Sequence, residues 1–431
     1  MEIRRLVETM KTSEISGFYK LSPAERLALV KEYAGLTDEE VKTLSAEGAL
    51  KLADANRMIE NLVGTMPMPL GMAVNFRIND RDYLVPMALE EPSVVAAASN
   101  AAKMARAKGG FTATTTGPIM IGQIQVTHVP DPDGAARTIM RSKDKILEMC
   151  NAKDPVLVKF GGGAKDVECR IVQSMRGPML IVHLLVDCRD AMGANAVNTM
   201  AEGVAPFLEE LSGGKVFLRI ISNLAVKRLA RSKAVFDKES IGGPDVVEGI
   251  LEAYAFAEAD PYRCATHNKG VMNGIDAVVL ATGNDFRAVE AGAHAYAAMG
   301  GKYHSLTKWE KNNDGDLVGS IELPLAVGLI GGATTSHPVA KANVRILGVK
   351  TAQELAEVVA SVGLAQNFAA LRALATEGIQ RGHMSLHARN IAIAAGAVDD
   401  EIDRVAALMA SEKKVRMDRA KEILEQLRKR K

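Results

Sequence analysis

The sequence predicts a mixed α/β protein of the α+β class, in which a compact insert interrupts a larger domain of helices and strands. Three observations support this prediction. Helix signals fill residues 1–57, short strands alternate with helices over residues 116–225, and residues 381–431 are charged and helical in pattern. A chain of 431 residues is long enough for two or three such units, each with its own core.

The first part of the chain predicts helices and then a strand-to-helix junction. Ser22 and Thr37 each stand three residues before a glutamate, which is the pattern of a capping box at a helix start. The stretch "LVPMALEEPSVVAAASNAAKMARAKGG" predicts a short apolar strand and an alanine-rich helix that begins at Pro92 and ends at Gly109-Gly110. Glu91 therefore falls between the two elements, where functional side chains are often displayed.

A different pattern starts at about Ile119. "IMIGQIQVTHV" alternates as a strand does, "AARTIMRSKDKILEMC" has helical spacing, and "RGPMLIVHLLVDC" predicts a buried strand. "ANAVNTMAEGVAPFLEEL" predicts a helix closed by Gly213-Gly214, and "KVFLRIIS" predicts another strand. This order indicates the split β-α-β-β-α-β motif of ferredoxin-like domains. We therefore predict a ferredoxin-like insert at 116–225, between two parts of a large domain at 1–115 and 226–380.

The second part of the large domain contains "ATHNKGVMNGIDAVVLATGND", in which Lys269 and Asp285 stand on either side of an apolar run. A structural ion pair or two unrelated surface charges would explain them, and so would a catalytic lysine held by an aspartate. A helix over 285–299, a strand over 316–323 and the glycine-rich turn "VGLIGGATTSHP" follow. Residues 381–431 are predicted to form a detachable C-terminal subdomain.

The composition indicates a soluble globular protein that binds neither nucleic acid nor membrane. Hydrophobic residues make up 48% of the chain, charged residues 24%, and the net charge is +1. The four cysteines have no CxxC spacing, which argues against a zinc site or a disulfide framework and favours a reducing compartment. No apolar signal core and no run of about 18–20 apolar residues is evident, so we expect a cytoplasmic protein.

Two glycine-containing loops are candidates for binding a phosphate group, because the chain has neither a GxGxxG fingerprint nor a P-loop. The loop "FGGGAKD" (160–166) is explained by a turn as well as by a ligand site. The loop "RDAMGAN" (189–195) lies between a buried strand and a helix start, where free N–H groups suit a pyrophosphate. No metal site is predicted, because HExxH is absent and His383 and His387 lack a suitable acidic partner.

Five stretches, in the expected order, resemble the class II (soluble, bacterial and archaeal) branch of the 3-hydroxy-3-methylglutaryl-coenzyme A reductases. They are "EEPSVVAAASNAAK", "RDAMGAN", "DPYRCATHNKGVMNGID", "VGLIGGAT" and "ALATEGIQRGHMSL". The resemblance extends nearly from end to end and includes "MIENLVGTMPMPLG" near the start. The membrane anchor of the eukaryotic class is not seen.

The resemblance implies an activity and the residues that perform it. Members of this family interconvert hydroxymethylglutaryl-coenzyme A with mevalonate and coenzyme A by two hydride transfers. The implied catalytic residues are Glu91, Lys269, Asp285, which hydrogen-bonds to Lys269, and His383, which lies on a mobile C-terminal flap. The implied substrate contacts are Ser93, Arg263, Asn273 and His387. The implied cofactor contacts are Asp154, Asp190, Met192, Gly193, Asn195 and Asn223.

The resemblance also implies the partners. The small domain is expected to bind the nicotinamide cofactor and the large domain coenzyme A, in a homodimer with active sites at its interface, with a higher oligomer left open. Asp154 matches an aspartate that meets the adenosine ribose in members that use NAD, so NAD (NADH) is expected, while Lys153 and Lys159 leave NADP open.

Two rival functions stay open on the sequence alone. One is another NAD-linked acyl-coenzyme A or aldehyde dehydrogenase, for which Cys264 is the candidate nucleophile. The other is a non-enzymatic ferredoxin-like binding module. The insert lacks the clustered aromatic residues with which such modules stack on RNA bases.

Overall fold

The computed structural model describes residues 12–376, 388–412 and 414–429. Its helices are α1 (Pro23–Ala34), α2 (Asp38–Ser45), α3 (Leu52–Met58), α4 (Val94–Arg106), α5 (Pro132–Arg141), α6 (Lys143–Asn151), α7 (Pro155–Lys159), α8 (Ala194–Ser212), α9 (Lys238–Ile241), α10 (Pro244–Ala259), α11 (Pro261–Ala281), α12 (Phe286–Ala297), α13 (Gly332–Ser336), α14 (Pro338–Leu347), α15 (Ala352–Ala375), α16 (Asp400–Ser411) and α17 (Met417–Lys429). Its strands are β1 (Leu70–Ile78), β2 (Arg81–Ala88), β3 (Phe111–Thr115), β4 (Ile119–Thr127), β5 (Gly163–Ser174), β6 (Gly177–Asp187), β7 (Lys215–Ser222), β8 (Leu229–Phe236), β9 (Thr307–Lys311) and β10 (Leu317–Pro324).

The N-terminal helices begin where the sequence places them. The side chains of Ser22 and Thr37 each accept a hydrogen bond from the backbone of the glutamate three residues on, and each glutamate returns the bond. Both capping boxes are therefore formed, and each satisfies backbone donors that the first turn of a helix leaves free.

The larger sheet has six strands in the order β2-β1-β3-β8-β10-β9. β1 and β3 are parallel at a single position, and the other neighbours are antiparallel. Helices α4, α11 and α15 pack on one another and on this sheet. The rings of Phe236 on β8 and Phe368 on α15 stack with centroids 3.8 Å apart, both nearly fully buried. This layer forms the main core and provides the support for α11.

Helix α15 is the one helix in the described ranges that is long and apolar enough to cross a membrane by length and composition. From the sequence we expected no segment that could span a membrane, and we did not single out this helix. Of its apolar window, 67% is buried inside the protein, where the helix packs between α11 and the large sheet. Its apolar composition therefore reflects a place at the centre of the core.

The smaller sheet has four antiparallel strands in the order β5-β6-β4-β7 and its own core. This is the arrangement of a split β-α-β motif, with α8 and the α5–α7 segment as the helical connections. The sequence predicts one helix before the second strand, whereas the chain forms three, because the first breaks at Ser142 and Pro155 starts a short third one. Strand β5 begins at Gly163, inside the glycine-rich stretch predicted as a turn or loop.

Helix α11 is a single element of 21 residues. Pro261 stands at its first position, and the Asp260 side chain caps it by accepting a hydrogen bond from the backbone N–H of Arg263. The apolar run from Ala277 to Ala281 is the last turn of this helix, and α12 begins only five residues after it, at Phe286. The C-terminal helices α16 and α17 pack on each other around a separate small core.

Candidate active site

The turn between β2 and α4 carries Glu91 and Ser93. Ser93 is the residue that precedes the helix, and its φ of 75° lies in the left-handed region that a serine rarely adopts. Its hydroxyl is buried without a hydrogen-bond partner. The sequence predicts that the helix begins at Pro92, whereas it begins at Val94, because Ser93 takes this strained conformation. A strained backbone with an unsatisfied hydroxyl is typical of a site that binds a polar group of a ligand.

Glu91 meets two residues of α11. The Lys269 ammonium lies 2.7 Å from Oε2 of Glu91 and donates a hydrogen bond to it. Asn273, one helical turn further along α11, points its Nδ2 at Oε1 of Glu91 at 3.5 Å. The side chains of Lys269 and Glu91 are 59% and 37% exposed, so the pair is open to a substrate. Two residues from one predicted stretch, Lys269 and Asn273, thus converge on the carboxylate of Glu91 from another.

Asp285 does not reach Lys269 within the chain. Its side chain accepts a hydrogen bond from the backbone N–H of Ala288 at 3.1 Å, which caps α12, and it lies 3.3 Å from the Arg287 guanidinium. Lys269 is twelve residues before the end of α11 at Ala281, and a helix rises 1.5 Å per residue, so about 18 Å of rigid helix separates them. The expected hydrogen bond between these two residues is absent from the single chain.

The "RDAMGAN" loop joins β6 to α8. Gly193 precedes α8 with a φ of 109° and no side-chain cap, so the first N–H groups of this helix are free. A side chain at Gly193 would press on the Cys188 sulfur at 2.4 Å, so only glycine fits there. Asn195, in the first turn of α8, is exposed. The loop offers backbone donors that no side chain caps at a helix N-terminus, an arrangement that suits a pyrophosphate.

The other predicted cofactor contacts are partly engaged in the fold. The carboxylate of Asp190 accepts a hydrogen bond from the backbone of Ala352 at 2.8 Å, and its carbonyl accepts one from Leu329 at 2.7 Å. Oδ1 of Asp154 accepts a hydrogen bond from Leu157 N at 2.9 Å and so caps α7. Asn223 is exposed just after β7. Asp154 and Asp190 therefore have structural roles as well, which the sequence motifs did not reveal.

Two residues near the start of α11 bear on the predicted chemistry. Arg263 is partly buried and burial lowers the pKa of its guanidinium, which has no carboxylate partner within the described ranges. Burial raises the pKa of the neighbouring Cys264 thiol to about 11, with Glu258 adding to the effect. A thiol in this state is a poor nucleophile near neutral pH, which weighs against the rival dehydrogenase.

A cavity of about 1140 Å³ follows the outer side of α4, the helix that starts directly after Ser93. Its wall includes Tyr19, Lys20 and Arg26 from the N-terminal segment and Asn100 and Lys103 from α4. The cavity is large enough for a nucleotide-sized ligand and carries positive charge.

His383 and His387 lie outside the described residues. No group of three or more histidine, cysteine, aspartate or glutamate side chains that could hold a metal ion occurs in the part of the chain that is described.

Sequence reasoning missed Arg228 and Asp276. Arg228 is only 5% exposed, and its guanidinium donates hydrogen bonds to two backbone carbonyls of the "RDAMGAN" loop. Nothing in the surrounding stretch "NLAVKRLAR" indicates that this arginine is buried. Asp276 follows Lys269 and Asn273 at the i, i+4, i+7 spacing of one helix face, a signal that was present in the sequence. Burial and the neighbouring Glu290 raise the pKa of Asp276, and Glu290 in turn lies 2.7 Å from His294.

Comparison with known proteins is consistent with this site. A family model described as hydroxymethylglutaryl-coenzyme A reductase matches residues 22–388. A 3-hydroxy-3-methylglutaryl-coenzyme A reductase of Archaeoglobus fulgidus is 65% identical over 417 residues, which are 97% of this chain and 95% of that protein. A probable reductase of the same name from Borreliella burgdorferi is 37% identical over 78% of this chain and 77% of its own length.

Solved structures agree in fold as well as in sequence. The 3-hydroxy-3-methylglutaryl-coenzyme A reductase of Streptococcus pneumoniae superposes with a TM-score of 0.82 at 41% identity, covering 96% of this chain and 99% of that one. A structure of the same class II enzyme bound to NADPH in open conformations gives a TM-score of 0.81 at 42% identity, over 84% of this chain and 99% of that one. The chain therefore belongs to the hydroxymethylglutaryl-coenzyme A reductase family, in its class II branch.

Proposed function

We propose that the protein interconverts hydroxymethylglutaryl-coenzyme A with mevalonate and coenzyme A, with a nicotinamide dinucleotide supplying or accepting two hydrides. The observation that carries this proposal is the meeting of Glu91, Lys269 and Asn273 beside the strained Ser93. It is supported by the family to which the chain belongs and by the 65% identity to the Archaeoglobus fulgidus enzyme.

Lys269 supplies the positive charge that the chemistry needs. Each hydride addition to a thioester or aldehyde carbonyl builds negative charge on the oxygen, and an ammonium held at that oxygen stabilises the transition state. Glu91 holds the ammonium at 2.7 Å and fixes its direction. We also assign Glu91 the transfer of a proton to or from the substrate oxygen, because its carboxyl group lies 2.7 Å from the ammonium that would contact that oxygen; in the reductive direction it must first take up the proton that it gives.

The remaining contacts hold the substrate. Ser93 has a free buried hydroxyl, Arg263 a free guanidinium and Asn273 an amide beside Glu91, so together they offer donors to the carboxylate and hydroxyl of a hydroxymethylglutaryl group. The basic cavity along α4 suits the phosphates of coenzyme A. His383 and His387 complete the expected set from the C-terminal flap, by resemblance alone.

We assign the cofactor to the small domain at 116–225. The free N–H groups at the start of α8, next to Gly193, fit the pyrophosphate of a dinucleotide. Asp154 caps α7 through Oδ1, which leaves Oδ2 for the 2′-hydroxyl of an adenosine ribose and disfavours a 2′-phosphate. NAD is therefore the cofactor we propose. The Streptococcus pneumoniae relative is described as bound to NADPH, so NADP must be included in any test.

The position of Asp285 supports a homodimer. Since about 18 Å of helix α11 keeps Asp285 from Lys269 in one chain, the aspartate can aim that lysine only when it comes from a second copy. The segment before β1 offers a surface for such a copy, because the apolar side chains of Ile59, Val63 and Met66 are 58%, 103% and 86% exposed. We propose an active site at this dimer interface in a cytoplasmic enzyme that binds no nucleic acid or membrane.

The activity is tested with purified protein, mevalonate, coenzyme A and either NAD⁺ or NADP⁺, by following the absorbance of the reduced nicotinamide. Turnover with mevalonate and coenzyme A together, and none when either is omitted, is the expected result. No turnover with either cofactor would refute the proposed reaction.

The interface is tested by mixing two inactive variants, Lys269→Met and Asp285→Asn. If each site uses one residue from each copy, a random mixture after subunit exchange should recover about a quarter of wild-type activity, since half of the dimers then carry one intact site. If both residues of a site come from the same chain, every site keeps one defect and no activity returns.

A further inference from the structure

Arg228 lies on the short connection between the small sheet and β8, and it is only 5% exposed. Its Nη1 donates hydrogen bonds to the carbonyls of Ala191 and Met192 at 3.0 and 3.1 Å. Its Nη2 donates to the carbonyl of Val327. One guanidinium therefore joins the "RDAMGAN" loop to the glycine-rich turn that follows β10.

Arg228 forms no ion pair in the described part of the chain, and the negative charges of Asp187 and Asp190 act on it only from beyond salt-bridge distance. Burial lowers the pKa of its guanidinium. By contrast, the half-buried Arg106 forms hydrogen bonds to Asp82. A buried cation whose nearest opposite charges, Asp187 and Asp190, lie beyond salt-bridge distance is costly to a fold, which indicates a further role for it here.

The loops that Arg228 joins are locked to each other at several further points. Leu329 N donates to the Asp190 carbonyl at 2.7 Å, and Ala191 pairs with Ile330 as an isolated bridge. Gly328 lies so close to the loop that a Cβ there would sit 2.5 Å from Met192 N. The position of the loop that precedes α8 is therefore set by its contacts with the glycine-rich turn that follows β10.

We infer that Arg228 is a positioning residue for the dinucleotide cofactor, holding residues 190–193 so that the start of α8 is open and placing a buried positive charge behind it. This inference rests on the proposed cofactor site. The pyrophosphate of the bound cofactor, on the opposite side of the loop from Arg228, then adds to the negative charge that Asp187 and Asp190 already supply. Arg228 itself makes no contact with the cofactor and acts through the carbonyls it holds.

The inference is tested with Arg228→Lys, which keeps the charge but lacks the planar fork that spans carbonyls from two loops. Arg231→Lys is the matched control, since Arg231 lies three residues further on and is exposed in an ion pair with Glu322. Dissociation constants for NADH, NADPH and hydroxymethylglutaryl-coenzyme A are measured by calorimetry at a temperature where circular dichroism shows each variant folded. We expect Arg228→Lys to weaken the preferred dinucleotide about tenfold or more and the acyl-coenzyme A less than about twofold. The control should match the wild type.

A second variant, Gly328→Ala, keeps the Arg228 guanidinium but adds a Cβ that would sit 2.5 Å from Met192 N and so displace the "RDAMGAN" loop. It should also weaken the dinucleotide selectively. Unchanged dinucleotide affinity in Arg228→Lys, or equal weakening of dinucleotide and acyl-coenzyme A, would show that Arg228 only stabilises the fold. If the wild-type protein itself binds neither dinucleotide, the proposed function fails rather than the role of Arg228.

Discussion

Replacing Lys269 with methionine separates catalysis from stability, because this lysine contributes little to the stability of the fold. The side chain is 59% exposed, and its ion pair with Glu91 is open to solvent. Exposed pairs of this kind contribute about 0–1 kcal/mol to folding. Methionine has a similar length and keeps the packing of the aliphatic stem on α11. We therefore expect the melting temperature of Lys269→Met to stay within about 2 °C of the wild type.

The catalytic effect should be far larger. Removing one preorganised donor from a developing oxyanion typically costs about 3–4 kcal/mol, which corresponds to a loss of about 10²–10³-fold in turnover. The same side chain also holds Glu91 at 2.7 Å, so its removal releases the proposed acid as well and the loss should lie at or above the upper end of that range.

The assay follows reduced-nicotinamide absorbance with saturating hydroxymethylglutaryl-coenzyme A, and calorimetry checks that the substrate still binds. Lys308→Met is the matched control, because Lys308 is 69% exposed and pairs with Glu310 at 3.4 Å far along the chain from the site. The control should keep wild-type turnover. If Lys269→Met retained more than about a tenth of the wild-type rate, Lys269 would not be the group that stabilises the oxyanion.

Three further predictions concern cofactor choice, proton transfer and pH. Asp154→Asn keeps the cap on α7 but removes the negative charge, so the ratio of kcat/KM for NADH to kcat/KM for NADPH should fall about tenfold. A wild-type enzyme that already favours NADPH would contradict this prediction. His383→Gln should cripple thioester reduction yet spare free mevaldehyde, which releases no thiolate, whereas His387→Gln should be tolerated in both assays. The raised pKa of Asp276 means that the folded protein keeps a proton there, which the unfolded chain releases above about pH 4. The free energy of unfolding therefore falls as pH rises from there. Asp276→Asn removes this titration and should reduce the melting-temperature difference between pH 5 and pH 8 by about 2–4 °C.

Local signals in the sequence were sufficient for much of the fold. The capping pairs at Ser22 and Thr37, the alternation in β4 and the glycines after α8 each depend on neighbours within a few residues, and each element forms where its signal lies. The family resemblance placed Glu91 and Lys269 among the catalytic residues but did not predict their contact, and no local pattern connects residues 178 positions apart.

The features that sequence reasoning missed depend on distant partners. Asp190 caps a helix 162 residues away, and Arg228 reaches a carbonyl 99 residues away. Nothing within a few residues of either side chain indicates that it will be engaged there. The left-handed conformation of Ser93 is missed as well, because the local signals favour a helix start at Pro92 and none of them indicates a positive φ at the serine.

Helix α11 and the residues that follow it connect the two proposed half-sites. Lys269 and Asn273 lie on the helix, and Asp285 lies just beyond its far end, so in the proposed dimer one chain offers the lysine to its own Glu91 and the aspartate to the second copy. Asn284, adjacent to that aspartate, accepts a hydrogen bond from Gly328 N at 2.7 Å, and Gly328 contacts the loop that Arg228 holds. In the proposed dimer, the cofactor loop of one chain is thus mechanically linked to the aspartate that completes the site of the other. Loss of Arg228 should therefore lower turnover even at saturating cofactor, since it disturbs the aspartate as well as the loop.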